Sequence, residues 1–445
     1  MKAKVLVIGG GGREHAIARA LVSSGARIYT VMRNRNPGIS RISEKIKVTK
    51  ETEISAVCEF AKENGVDIAV CGPEEPLVNG IADALEKLGI PCVGPHSRAA
   101  MIEGSKMFAR ELMKKHAIPG AVRFRVVGNI EDARCAFDEY ENNFVIKPIG
   151  LTGGKGVKVM GEHLKDVGEA MAYVKEIIEK KIGNSQNVLI EEKLEGEEFT
   201  LQAFVNEKTV CFSPPVQDHK RLYEGDCGPN TGGMGSYSCE NFLLPFLTEE
   251  DLTMAREIII KTVAALKKEG TQYRGFLYGQ FMVAADGVHV IEFNCRLGDP
   301  EAMNILTLIT SNFTELCYKI ANGEHLPAPE FKRLATVCKY VVPEGYGINP
   351  RRGEEIRIEE EGILKSGCVP YYAMVDEIDG KIYTTTSRSV GIVGAAPTLS
   401  EAEQITEKAL AFISGKVYVR HDIGKPEVIE KRINHMKALR SMHSS

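Results

Sequence analysis

The sequence predicts a multidomain protein of mixed α/β and α+β class, with a parallel α/β layer first and a β-rich domain last. Three observations carry that reading. Strand and helix patterns alternate over the first hundred residues, the mark of a parallel sheet covered by helices. The chain beyond residue 329 contains β-rich runs at 336–341 and 382–385. A chain of 445 residues with 43% hydrophobic and 26% charged content has enough apolar material for several ordinary cores.

The first layer begins with a buried strand at 5–8, the turn Gly9-Gly10-Gly11-Gly12 and a helix at 13–23. Strands at 28–32, 68–70 and 91–93 alternate with helices at 54–64 and 77–88, and the layer closes near Gly94-Pro95. A helix at 106–115 stops before Pro119-Gly120. Strands at 144–146, 157–160 and 188–191 enclose a helix at 164–181, a compact α+β unit. A hairpin is expected at 200–205 and 210–212, then a long polar loop over 214–236. A helix at 249–268 leads to strands at 277–283 and 288–291 across the Asp286-Gly287 turn. After a helix at 313–321, Pro327 and Pro329 mark a boundary. A helix is expected at 399–414, and 426–445 reads as a polar, basic helical tail.

Composition narrows the function. A formal net charge of −4 argues against nucleic acid as the main partner. The 11 cysteines are dispersed with no C-x-x-C pair, which fits reduced thiols in a cytoplasmic protein. No zinc spacing occurs, no run is long enough to span a membrane, and the 4–8 run is too short for a signal peptide.

The glycine turn after the first strand invites a dinucleotide reading, which fails in detail. The third glycine of G-x-G-x-x-G falls on Glu14 or His15, and Arg33, Asn34 and Arg35 stand where an acidic ribose ligand is wanted. Backbone N–H groups at Gly10, Gly11 and Gly12, with Arg13, suit a monophosphate at a helix N-terminus, or the turn is simply tight.

Three stretches carry chemistry. Residues 147–157 join two strands with Gly150, Gly153, Gly154 and Gly156 between Lys147 and Val157, and Lys155 lies inside; no Walker A register exists, but such a loop suits a polyphosphate. The acidic run Glu191-Glu192-Lys193-Leu194-Glu195-Gly196-Glu197-Glu198 follows one helix later, where a strand edge offers main-chain groups to a base. Glu292 and Asn294 share one face of the strand ending at Asn294, and a carboxylate with an amide oxygen suits Mg²⁺. Arg296, Asp299 and Glu301 crowd the turn beyond it.

These motifs occur in the order of an ATP-grasp enzyme, over residues 106–301. Gln217-Asp218-His219-Lys220-Arg221 and Gly228-Pro229-Asn230-Thr231-Gly232-Gly233-Met234-Gly235 tighten the match. With Asn36-Pro37-Gly38 and the N-terminal glycine run, residues 1–424 resemble the phosphoribosylamine–glycine ligase family. The resemblance implies an ATP-grasp fold with an N-terminal α/β domain at 1–104, a central domain at 105–118 and 191–328, a lid at 119–190, a β-rich domain at 329–424 and a tail at 425–445. It implies a ligase of purine synthesis, joining glycine to 5-phosphoribosylamine with ATP and Mg²⁺ or Mn²⁺, as a monomer or weak dimer.

By similarity, Glu192, Lys193 and Leu194 meet adenine and Glu198 the ribose. Lys106 and Lys147 meet the phosphates, under Gly153, Gly154, Lys155 and Gly156. Glu292 and Asn294 hold the metal. Arg296, Asp299, Asp218 and Lys220 are the catalytic candidates. Gly10, Gly11, Gly12, Arg13, Asn230, Thr231 and Gly298 are the substrate candidates. The sequence departs from many relatives in its lid, Ile149-Gly150-Leu151-Thr152-Gly153-Gly154-Lys155, and at Gln280 and Met282, where a further metal carboxylate is common. Two rivals are weaker. A purine-synthesis ligase using a formyl or carbonate donor does not explain the 217–221 and 228–235 loops, and a nucleotide-binding oxidoreductase needs the missing glycine.

Overall fold

The computed structural model describes residues 2–152 and 156–443. Its first layer is a five-stranded parallel sheet in the order Ser43–Val48, Arg27–Met32, Lys4–Ile8, Ile68–Cys71, Cys92–Val93. The two central strands are apolar and buried apart from the half-buried Lys4 at the start of the first, as strands covered on both faces must be. Two details differ from the sequence reading. The edge strand Ser43–Val48 was not expected, because its SEKIKV pattern is largely polar and half-exposed. The helix expected at 77–88 is two short helices, Glu74–Val78 and Ile81–Glu86, broken at Gly80, whose φ of 88° lies in the left-handed region.

The helix Lys106–Lys115 is started by Ser105, whose Oγ accepts from the Phe108 N–H at 3.2 Å. Beyond it, strands Phe124–Val127, Val188–Glu192, Phe144–Pro148 and Lys158–Val159 make an antiparallel sheet in that order. Helices Ile130–Glu139 and Val167–Lys180 pack on it, and the unit has its own core, with Phe137 stacked on Phe144 at 4.0 Å. Strand Phe124–Val127 and helix Ile130–Glu139 were absent from the sequence reading.

A second antiparallel sheet runs Thr209–Phe212, Glu197–Asn206, Arg274–Ala284, Gly287–Asn294. The expected polar loop at 214–236 instead carries four short strands, the last running on to Ser238. Two of them, Gln217–Asp218 and Gly235–Ser238, join Ala335–Pro343, Val390–Ala396 and Cys368–Tyr372 in one sheet, so the loop is fixed to the β-rich region. The helix expected at 399–414 ends at Ala409, and Ile413–Gly415 is a strand. Helix Pro426–His443 lies back on the molecule, burying Ile429, Met436 and Leu439 in the main core. No described helix is long and apolar enough to cross a membrane.

Candidate active site

A cleft of about 820 Å³ opens between the two antiparallel sheets and the loops of the β-rich region. Its walls bring together residues far apart in the chain. Lys147, Glu192, Lys193, Leu194, Glu198, Asp218, Lys220, Asn230, Thr231, Glu292, Asn294, Arg296 and Asp299 all line it. Lys106 lines a smaller hollow of about 90 Å³ that shares Glu292, Asn294 and Arg296. Gly153, Gly154 and Lys155 lie outside the described residues, and Gly156 receives the Tyr173 hydroxyl on its carbonyl at 2.7 Å.

At one end the cleft is apolar, walled by Val122, Val145, Val159, Leu194 and Met282. The connector 193–196 links the two sheets here. The Glu192 carboxylate is turned away from a base, accepting from Arg123 N–H at 2.7 Å and Nε at 2.6 Å. The Lys193 N–H is taken by the Asn143 carbonyl at 3.0 Å, whereas the Leu194 N–H bonds to no described group. An apolar slot whose edge carries a main-chain donor unused by any described residue is suited to a purine.

Cations gather deeper in. Glu191 is buried and gripped by Arg110 Nε at 2.5 Å and Nη2 at 3.1 Å, and by Lys147 Nζ at 2.5 Å. Burial pushes its carboxyl up, but Arg110 and Lys147 outweigh that and hold it at about 2. Lys106 donates to the Gly150 carbonyl at 3.1 Å, and burial lowers its pKa. Burial also opposes the charge on Glu292, yet Lys220, Lys106 and Lys147 overcome it and keep the carboxyl below its usual value. Those lysines act at a distance, since Glu292 has no hydrogen-bond or ion-pair partner among the described residues.

Directly across the strand pair from Glu292 stands Gln280, whose Oε1 is buried without a partner while its Nε2 donates to Glu198 at 2.7 Å. Asn294 donates through Nδ2 to the Phe293 carbonyl at 3.0 Å, so that bond leaves its amide oxygen unused. Among the described residues no three His, Cys, Asp or Glu side chains form a metal cage. The donors present are one anion with neutral amide oxygens, a set that fits a hard cation sharing its shell with phosphate oxygens and water.

The opposite end is built from carboxylates and arginines held against one another. Arg296 reaches Glu74 at 3.4 Å and Glu103 at 3.0 Å, both from the first layer. Burial pushes the Glu103 carboxyl up to about 7, against the pull of Arg296. Asp299 accepts from Tyr340 Oη at 2.6 Å and Arg388 Nη2 at 3.2 Å. Arg388 also donates to the carbonyls of Gly232, Gly233 and Asp299. Asp218 is raised well above the ordinary carboxylate range by burial and by Glu301, and its Oδ1 has no partner among the described residues. Lys220 sits 3.8 Å from Glu198, and Thr231 pins the loop by bonding to the Lys220 carbonyl at 2.8 Å.

Gly10, Gly11, Gly12, Arg13 and Gly298 do not line either hollow. The Gly11 N–H is occupied by Glu14 Oε2 at 2.7 Å, and Arg13 is buried with its Nε on Glu14 at 2.6 Å and Nη1 on the Leu297 carbonyl at 3.2 Å. At Gly12 a Cβ would meet the Tyr340 hydroxyl at 2.3 Å, so this turn packs directly behind Asp299. Gly298 donates to Gln202 Oε1 at 2.8 Å.

Arg388, Tyr340, Glu103 and Glu74 were missed by sequence reasoning. None sits in a motif; each is next to the cleft only because three sheets converge there. Gln280 was noticed as a departure, and its unpartnered oxygen is visible only in the structure.

The two antiparallel sheets and the lysine-walled cleft between them define the protein as an ATP-grasp enzyme. The comparisons go further. Residues 3–103, 104–302 and 336–426 match, in turn, the N, ATP-grasp (A) and C domains of phosphoribosylglycinamide synthetase. The chain belongs to the phosphoribosylglycinamide synthetase family, as its motifs implied. A phosphoribosylamine–glycine ligase of Methanocaldococcus jannaschii is 52% identical over 443 residues, 98% of this chain and 100% of the relative. That of Pyrococcus horikoshii is 47% identical, over 98% of each. The crystal structure of phosphoribosylamine–glycine ligase from Thermotoga maritima superposes with a TM-score of 0.81 at 30% identity, covering 94% of this chain and 100% of that one. A biotin carboxylase from Campylobacter jejuni shares the fold, with a TM-score of 0.76 at 16% identity over 98% of this chain and 99% of its own.

Proposed function

We infer that this protein joins glycine to 5-phosphoribosylamine at the expense of ATP, giving glycinamide ribonucleotide, ADP and phosphate in purine synthesis. The observation that carries the reading is the convergence of the three motifs on one cleft, in a chain similar along its length to ligases of that name. The division of labour is part of the proposal. The 119–190 unit acts as a lid, 105–118 with 191–328 as the central domain, 1–104 and 329–424 as the flanking domains.

A carboxylate does not lose oxide to an amine, so the glycine carboxyl must first become an acyl phosphate. The γ-phosphoryl group passes to a glycine carboxylate oxygen and ADP leaves; the amine then attacks the carbonyl carbon and phosphate departs. Lys106 and Lys147 offset the charge where two anions meet, and the Leu194 N–H and the Glu198 carboxylate orient adenine and ribose. Glu292 with the amide oxygens of Asn294 and Gln280 would hold Mg²⁺ or Mn²⁺, which when bound neutralises charge between the β- and γ-phosphates. On the acceptor side, Asp218 has a raised affinity for a proton and is suited to take the one the amine gives up. Arg296, Asp299, Lys220, Asn230 and Thr231 shape the acceptor end, and the turn from Gly10 to Arg13 supports it from behind.

The test is ADP release with ATP, glycine and freshly prepared phosphoribosylamine, omitting each in turn. ADP formation that depends on all three is the expected result; release that ignores glycine would defeat the reading.

A further inference from the structure

All of helix Pro426–His443 but its first residue lies beyond the residues that any of the three family models match, the last of which ends at 426. It nevertheless forms part of the wall of the main cleft, through Lys431, Arg432 and His435. Arg432 Nη1 donates to Glu197 Oε2 at 2.5 Å, and its Nη2 to Asp226 Oδ2 at 2.8 Å. His435 Nδ1 lies 2.7 Å from Glu197 Oε1; a carboxylate only accepts, so this nitrogen is the donor. Both oxygens of one buried carboxylate are thus held by a helix more than two hundred residues away in the chain.

The position of Glu197 gives that grip its meaning. Glu197 is the first residue of the strand Glu197–Asn206, directly after the 193–196 connector between the two sheets. Its neighbour Glu198 points to the other face, where it meets Gln280 and approaches Lys220. Fixing Glu197 therefore fixes the strand end that carries Glu198. Asp226 ties the same arginine to Arg420 at 3.1 Å and so to the β-rich region.

We propose that the 426–443 helix is a positioning element of the nucleotide pocket: Arg432 and His435 clamp Glu197 and thereby hold Glu198 and the connector against the nucleoside. This rests on the reading of Glu198 as the ribose ligand. The helix is buried by Ile429, Met436 and Leu439, so deleting it would unfold more than the clamp, and the test uses point variants of the full chain.

His435→Ala removes one donor at a half-exposed site and should raise the ATP KM about fivefold, with kcat and the glycine KM holding. His435→Asn places an amide N–H where Nδ1 was and should restore the ATP KM. Arg432→Lys keeps the charge but loses the fork that spans Glu197 and Asp226, and should raise the ATP KM about tenfold. Lys437→Ala, on the exposed face, is the control. Nucleotide affinity by calorimetry should follow the ATP KM, with the unfolding temperature recorded for each variant.

Folded His435→Ala and Arg432→Lys proteins with unchanged ATP KM and nucleotide affinity would overturn the proposal. So would equal rises in the KM of every substrate together with a fall in unfolding temperature, since that pattern marks a merely structural helix. Glu198→Ala separates the two layers. If it raises the ATP KM while the helix variants do not, only the clamp falls; if it too changes nothing, the ribose assignment has failed with it.

Discussion

The two ends of the cleft are built on different plans. At the proposed nucleotide end, lysines from separate motifs surround Glu292 without touching it, and the Leu194 N–H and the Gln280 Oε1 have no partner among the described residues. At the acceptor end most charged groups are already matched: Arg296 with Glu74 and Glu103, Asp299 with Tyr340 and Arg388. The first end has open valences for a ligand to fill. The second spends its charges on holding three sheets in register, and leaves Asp218 Oδ1 without a partner among the described residues.

That contrast can be broken most sharply at Glu292. Glu292→Ala should keep nucleotide affinity, because the proposed adenine and ribose contacts lie elsewhere, yet lose at least about 3 kcal/mol of transition-state stabilisation, roughly a hundredfold in kcat. Calorimetry with nucleotide and turnover at saturating Mg²⁺ check both halves; near-native kcat would remove Glu292 from the metal site.

The second test concerns Glu191 and its two cations, Arg110 and Lys147, buried beside the proposed nucleotide end. Glu191 has its pKa held down to about 2 in the fold, so its contribution is complete above about 4.5 and is lost as pH falls through about 2. Its size is about 3 kcal/mol at neutral pH, and denaturant unfolding from pH 7 to 2 should show that acid-side loss in the native protein and a flatter curve in Glu191→Gln. Parallel curves would mean the Arg110–Glu191–Lys147 cluster contributes nothing specific.

At the acceptor end, Arg388→Met releases the carbonyls of Gly232, Gly233 and Asp299 together. The phosphoribosylamine KM should rise about tenfold while the ATP KM stays within about twofold. A rise in the ATP KM of the same size would erase the distinction between the two ends.

The smallest effect is expected at Glu192. Its carboxylate serves Arg123 rather than a base, and part-exposed pairs are worth about 0–1 kcal/mol, so Glu192→Gln should change the ATP KM by less than about threefold. A larger change would show that the side chain, and not the main chain beside it, meets the nucleotide.

Much of this was readable in the linear chain. The glycine–lysine loop, the acidic run and the I-E-x-N strand are contiguous segments, and the spacing within each already dictates which side chains share a face. The alternation of the first layer was equally plain, since its inner strands are continuous apolar runs. Local pattern failed where a segment is stabilised from outside itself. The half-polar edge strand Ser43–Val48 exists because Arg27–Met32 offers it a ladder. The short strands inside 214–236 exist because Ala335–Pro343 offers one to Gly235–Ser238.

What the amino-acid order determined alone, then, was the family, the three motif faces and the kinds of oxygen and cation each presents. Only the tertiary structure decided that Arg296 is paired with Glu74 and Glu103, that Gly12 must stay small behind Tyr340 and Asp299, and that a basic tail with no motif becomes a wall of the main cleft. The physical reason is range. A motif encodes contacts a few residues long through backbone periodicity. The pairing of Arg432 and His435 with Glu197 spans more than two hundred residues and arises only once apolar burial of Met436 and Leu439 has brought the two segments together.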